Sequence, residues 1–153
     1  MEAPSNPNAS LVALAEYSSR DRAQYIALSA MSGVVLTIAR VLSPSPNGLG
    51  THQQLGLPPC FFHQWTGIPC PTCGMTTSFA YTVRFHFYEA FVTQPFGMFA
   101  CVLTVLMIPT SFVLMRRRVP WMKLLTARGS DAVMYLLLAL FALAWVYKIW
   151  AMR

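Results

Sequence analysis

The chain has 153 residues, 56% of them hydrophobic and only 10% charged, and its mean hydropathy is +0.49. A soluble domain carries roughly a quarter charged residues, so a water-soluble globule is excluded and a membrane protein is expected. The net charge of +6 does not point to nucleic acid: the basic residues gather mainly in one short loop between apolar runs, and no basic face with interleaved aromatics is visible.

Residues 1–22 read as a polar tail. Met1–Asn8 carries Pro4 and Pro7 and has little to fold around. Leu11–Tyr17 is apolar but too short to span, and suits a surface-lying turn. No basic start and no small-residue cleavage site are visible, so no cleaved signal peptide is expected. The single membrane domain, residues 23–153, begins with a span over about 23–42, close to the ~20 residues a hydrocarbon core requires. Arg40 near its far end is placed to snorkel to the interface. Ser29 and Gly33 form a small-xxx-small pair, which either admits a neighbouring helix or faces lipid. Pro44, Pro46 and Gly48 end the helix.

Residues 43–94 form a long connection. After Gly74, the residues Met75, Phe79, Ala80, Val83, Phe87, Ala90 and Phe91 recur at helical spacing, so one or two short amphipathic helices are expected at the interface. Alternation around Phe85 and Phe87 also allows a short strand. The second span covers about 96–115 and holds Pro109, which neighbouring helices can accommodate in a membrane. The third covers about 132–150, with Trp145, Tyr147 and Trp150 as an aromatic belt and Lys148 placed to snorkel. The expected fold is an all-α membrane protein with three transmembrane helices and one or two short interfacial helices between the first two.

The loop Arg116–Ser130 holds five Lys/Arg and no acid, whereas Arg84 is the one Lys/Arg between Ser43 and Phe91. The positive-inside rule then places the N-terminus in the cytoplasm and the cysteine loop and C-terminus outward.

Cys60–Thr77, CFFHQWTGIPCPTCGMTT, holds three of the four cysteines. Cys60 pairs with His63 and Cys70 with Cys73, each across two residues, and Thr66-Gly67 with Pro69 supplies turn chemistry between the pairs. Three chemistries fit. Cys60, His63, Cys70 and Cys73 make a Cys3His set of the kind that holds zinc in a tetrahedron. An outward-facing loop equally permits a disulfide among Cys60, Cys70 and Cys73, with one thiol left over. Cys70-Pro71-Thr72-Cys73 also has the spacing of a thiol–disulfide exchange motif, and a helix starting after Gly74 would favour a thiolate at Cys73. Cys101, inside a span, reads as a buried inert thiol. His52 reads as solvated, His86 as interfacial, and Glu89 as a possible partner of Arg84. No complete catalytic set is visible.

The run Cys60-Phe61-Phe62-His63-x-x-Thr66-Gly67-x-x-Cys70-Pro71-x-Cys73-Gly74-x-Thr76 resembles the bacterial membrane-protein family called domain of unknown function 2752. Ala90 through Pro95 resembles that family's later Ala-x-x-x-Asn-Pro segment, with Gln94 in place of Asn. The resemblance covers roughly Pro59 to Met115, and implies a small bacterial inner-membrane protein with a few helices and no established reaction. This chain departs at Thr77, where the family usually has Arg, and at Phe85-His86, where it usually has Gly-Asp. Both departures leave the Cys/His set intact and favour a structural site over a catalytic one. The expectation is a non-enzymatic structural or accessory subunit, contacting the lipid bilayer and other membrane proteins or a second copy. The alternative is a membrane-embedded thiol–disulfide oxidoreductase or a metal-handling protein.

Overall fold

The computed structural model describes residues 17–121 and 130–151. Helix α1 is Ser19–Val41, followed by a 3-10 turn at Thr51–Leu55; α2 is Phe61–Thr66, α3 Met75–Thr82, α4 Phe87–Thr93, α5 Pro95–Arg116 and α6 Ser130–Ala151. The described residues contain no strand, so the alternating stretch around Phe85 resolves into the start of α4. The tail before Tyr17 and most of the basic loop, residues 122–129, lie outside the described residues.

Three helices are long and apolar enough to cross a bilayer: Ser19–Val41, Pro95–Arg116 and Asp131–Ala151, with mean hydropathies of 1.4, 2.2 and 2.0. Each has a local reason to start where it does. Ser18 caps α1, accepting from the Arg20 N–H at 3.1 Å, while Asp21 accepts from the Ser18 N–H at 2.7 Å, a reciprocal capping box. Pro95 opens α5 in its first turn, where a missing N–H leaves no intrahelical bond unmade. The same helix runs on through Pro109.

The core is small and, Tyr25 and Gln94 apart, lined mostly by short side chains. Ser32 and Ala39 of α1 and Gly97, Cys101 and Ser111 of α5 are buried where the bundle packs most closely. A Cβ at Gly97 would lie 2.9 Å from the Ser78 Cβ, so α5 and α3 approach to backbone contact there. Gly33, by contrast, has open space beside it. Large apolar residues point outward, Leu143 by 66% and Met31 by 66% among them. That inversion of the usual soluble arrangement is what a lipid solvent permits.

The connection between the first two spans is folded onto them. Arg84 donates to the carbonyls of Ala39 at 3.1 Å, Arg40 at 2.6 Å and Ala80 at 2.8 Å, so it satisfies the exposed carbonyl ends of α1 and α3 together. The Arg84–Glu89 pair that the sequence allows does not form; Glu89 faces His86 at 3.7 Å instead. At the opposite end of the bundle the Tyr25 hydroxyl donates to the Val119 carbonyl at 2.9 Å, and the Trp121 N–H donates to Asp21 at 3.0 Å. These bonds fix α1 antiparallel to α5.

Candidate metal centre

The motif Cys70-Pro71-Thr72-Cys73-Gly74 folds as its residue types require. Pro71 supplies the second position of a turn, closed by the Cys73 N–H donating to the Cys70 carbonyl at 3.0 Å. Gly74 follows at φ +87° and serves as the N-cap of α3. No other residue type fits that place. A side chain there would meet the Gly48 carbonyl oxygen at 2.9 Å, and the left-handed backbone is itself unfavourable for an L residue. The turn therefore brings the two sulfurs together, 3.1 Å apart. Cys60, the N-cap residue of α2, arrives from the other side of the Thr66–Pro69 bend.

The three sulfurs of Cys60, Cys70 and Cys73 lie within 4.8 Å of one another. All four cysteines are unbridged. In a tetrahedral zinc–thiolate site the sulfurs stand about 3.8 Å apart, which follows from Zn–S bonds of ~2.3 Å, so the cluster matches that spacing with small adjustments. His63 is not among these gathered donors. Its ring lines the same cavity as the three cysteines, and its Nδ1 is buried without a hydrogen-bond partner. A buried polar atom left unpaired costs about 1–3 kcal/mol, and a ligand role is one way that atom is satisfied. The cavity measures about 590 Å³ and is walled on one side by Val35, Ile38 and Ala39 of the first span. His52 also lines it, with its Nε2 3.2 Å from the Pro58 carbonyl oxygen.

The thiols are not equivalent. Burial raises Cys70, but hydrogen bonds from Thr72, Cys73 and Cys60 outweigh it and hold the thiol below its ordinary range. Burial, and then hydrogen bonding to Cys70 and Cys60, pushes Cys73 up to about 12. The expectation of a thiolate at Cys73 is therefore corrected: the anion settles on Cys70. Cys73 is 7% exposed and sits a residue before the helix cap, where losing water outweighs the helix dipole.

Three residues outside the cysteine motif stand against this turn, and the sequence marked none of them as its partner, although Gln94 lies in the resembled Asn-Pro segment. The Trp145 indole N–H donates to the Pro69 carbonyl at 2.9 Å. The Gln94 side-chain amide, fully buried, donates to the Pro71 carbonyl at 3.0 Å. Lys148 Nζ donates to the Thr93 carbonyl at 2.7 Å and would lie 3.3 Å from a Cβ at Gly74. The expectation that Lys148 snorkels outward is thus corrected; its amine is turned in toward the loop and the residue is 5% exposed. Thr77, where the resembled family usually has Arg, is buried with its hydroxyl 2.8 Å from that of Thr51, and so ties α3 to the 3-10 turn.

Residues 60–108 match the model of the family described as "Protein of unknown function (DUF2752)", the same family that the cysteine motif resembles. No curated protein and no solved structure matches the chain.

Proposed function

We propose that this chain is a non-enzymatic structural or accessory protein of the bacterial inner membrane, whose outward-facing loop is fastened by one soft metal ion. Zinc suits the donor set best. Cys60, Cys70 and Cys73 supply thiolates, and His63 the fourth ligand. The observation that carries this reading is the meeting of three sulfurs from two separate loop segments within 4.8 Å. The unpartnered Nδ1 of His63 supports it. The orientation follows from charge: Arg116, Arg117 and Arg118 end the second span, and basic loops stay in the cytoplasm. Contact with other membrane proteins or a second copy falls to the surfaces the fold leaves open. These are the face around Gly33 and the exposed pair Phe61 and Trp65, whose rings stand 4.9 Å apart.

A fastening role predicts that removing the metal loosens the loop and leaves the spans intact. Hydrogen exchange on protein in detergent micelles, with and without chelator, should show faster exchange over residues 60–82 and unchanged exchange in α5. Exchange unchanged by chelation over the whole loop would contradict a fastening role.

A second reading is thiol–disulfide exchange. The 3.1 Å separation of Cys70 and Cys73, one half-exposed and the other buried, favours it. In that reading Cys70 attacks a substrate disulfide and Cys73 then displaces the reduced substrate. Catalytic reduction of a disulfide substrate, with an added thiol returning the resulting Cys70–Cys73 disulfide to the dithiol and with turnover abolished by Cys73→Ser, would establish it over the structural role.

A further inference from the structure

Lys148 buries its amine in an otherwise apolar part of α6, 5% exposed. A buried charge is retained when an opposite charge stands nearby. No carboxylate among the described residues lies within 4.0 Å of it. Asp21 is engaged with the backbone of Ser18 and Trp121, Glu89 faces His86, and Asp131 sits in the first turn of α6, at the other end of the helix. The Thr93 carbonyl, 2.7 Å from Nζ, offers only a partial charge. What does stand beside the amine is the cysteine turn: Nζ is 3.3 Å from the Cβ position of Gly74, the residue that follows Cys73.

Charge counting completes the picture. A divalent ion bound by three thiolates and a neutral imidazole carries one net negative charge, since two positive charges meet three negative ones. We infer that Lys148 is the counter-cation of the Cys60/Cys70/Cys73 metal–thiolate cluster, a positioning residue through which the third span sets the affinity of a site built in the loop between the first two. The inference rests on the metal reading above. It also gives the third span a reason to stay docked. Trp145 bonds one flank of the turn and Lys148 lies beside the other, so loading the site and seating α6 favour each other by linkage.

The rival role for Lys148 is a cap on the carbonyl end of α4, which a neutral donor can fill. The test therefore compares Lys148→Gln, Lys148→Met and Lys148→Arg with wild type, each as the full chain in detergent micelles. Zn²⁺ is titrated against a chromophoric chelator, and Co²⁺ spectra report the thiolate ligands. Gel filtration and helical circular dichroism confirm folding, and two neutral variants are used so that one misfolded protein does not silence the comparison. We expect both neutral variants to bind Zn²⁺ roughly tenfold or more weakly, with the thiolate-to-cobalt band retained, and Lys148→Arg to stay near wild type. Unchanged affinity in the neutral variants would overturn the inference while leaving the metal reading intact, and so would an equal loss in Lys148→Arg. A wild-type chain that binds neither ion would remove the metal reading and this inference with it.

Discussion

Gly74 is the residue on which the cysteine turn depends most. Its φ of +87° and the 2.9 Å approach to the Gly48 carbonyl oxygen leave no room for a side chain. Gly74→Ala should destabilise the fold by about 1–2 kcal/mol from the left-handed backbone alone, read as a lower thermal midpoint in micelles. A midpoint equal to wild type would show that the turn is not held as described. The thiols give a second residue-scale prediction, for metal-free protein. Only the thiolate is nucleophilic. Cys70 is held below the ordinary thiol range and ionises first as pH rises, so alkylation there should begin at lower pH than for free cysteine. Cys73 stays protonated until the pH approaches about 12, so it should remain unmodified at neutral and mildly alkaline pH. Mass mapping of iodoacetamide adducts across a pH series checks both. Faster labelling of Cys73 than of Cys70 would reverse the assignment.

At the scale of elements, α4 begins awkwardly. Phe85 before it is left-handed at φ +65°, and His86 stands at the cap position without a side-chain cap bond. These are the positions where the resembled family usually has Gly and Asp. Glycine adopts that backbone freely, and aspartate is a preferred cap. Phe85→Gly with His86→Asp should therefore raise stability by roughly 1–2 kcal/mol, seen as a higher thermal midpoint; a fall would mean that the exposed Phe85 ring does more than cover its neighbour Phe87. Elements whose causes are local were legible in the sequence. Spans announce themselves because lipid demands a long unbroken apolar run, and the cysteine turn because Pro71 and Gly74 are chosen by backbone geometry. Partners far apart in sequence were not legible. A lysine near the end of a span reads as snorkelling, and nothing local in α6 indicates that Lys148 reaches Thr93, 55 residues away. Arg84 misled for the same reason. Its near neighbour Glu89 looked like a partner, while the carbonyls it caps come largely from α1, 44 and 45 residues distant.

For the whole molecule, the arrangement is a bundle whose long helices turn most of their large apolar side chains outward and which, among the described residues, gathers its soft donors in the loop between the first two spans. In the proposed orientation that loop lies outside the cytoplasm. In intact cells or right-side-out vesicles treated with chelator, a membrane-impermeant maleimide should label Cys70, and a cysteine introduced at Arg117 should stay unlabelled until the membrane is opened; the reverse pattern would invert the topology. The sequence brought Cys60, Cys70 and Cys73 together by their spacing, and the fold gathers their sulfurs. It spoke less clearly on His63, because a two-residue spacing from Cys60 fixes the ring's position along α2 but not its distance from sulfurs contributed by another turn. Metal content of the protein as purified tests the account most directly, with elemental analysis and thiol mapping on the same sample. The account predicts about one zinc-class ion per chain, three thiols freed when it is chelated, and no bound metal in a variant carrying serine at positions 60, 70 and 73. A metal-free chain with Cys70 and Cys73 joined to each other would contradict it.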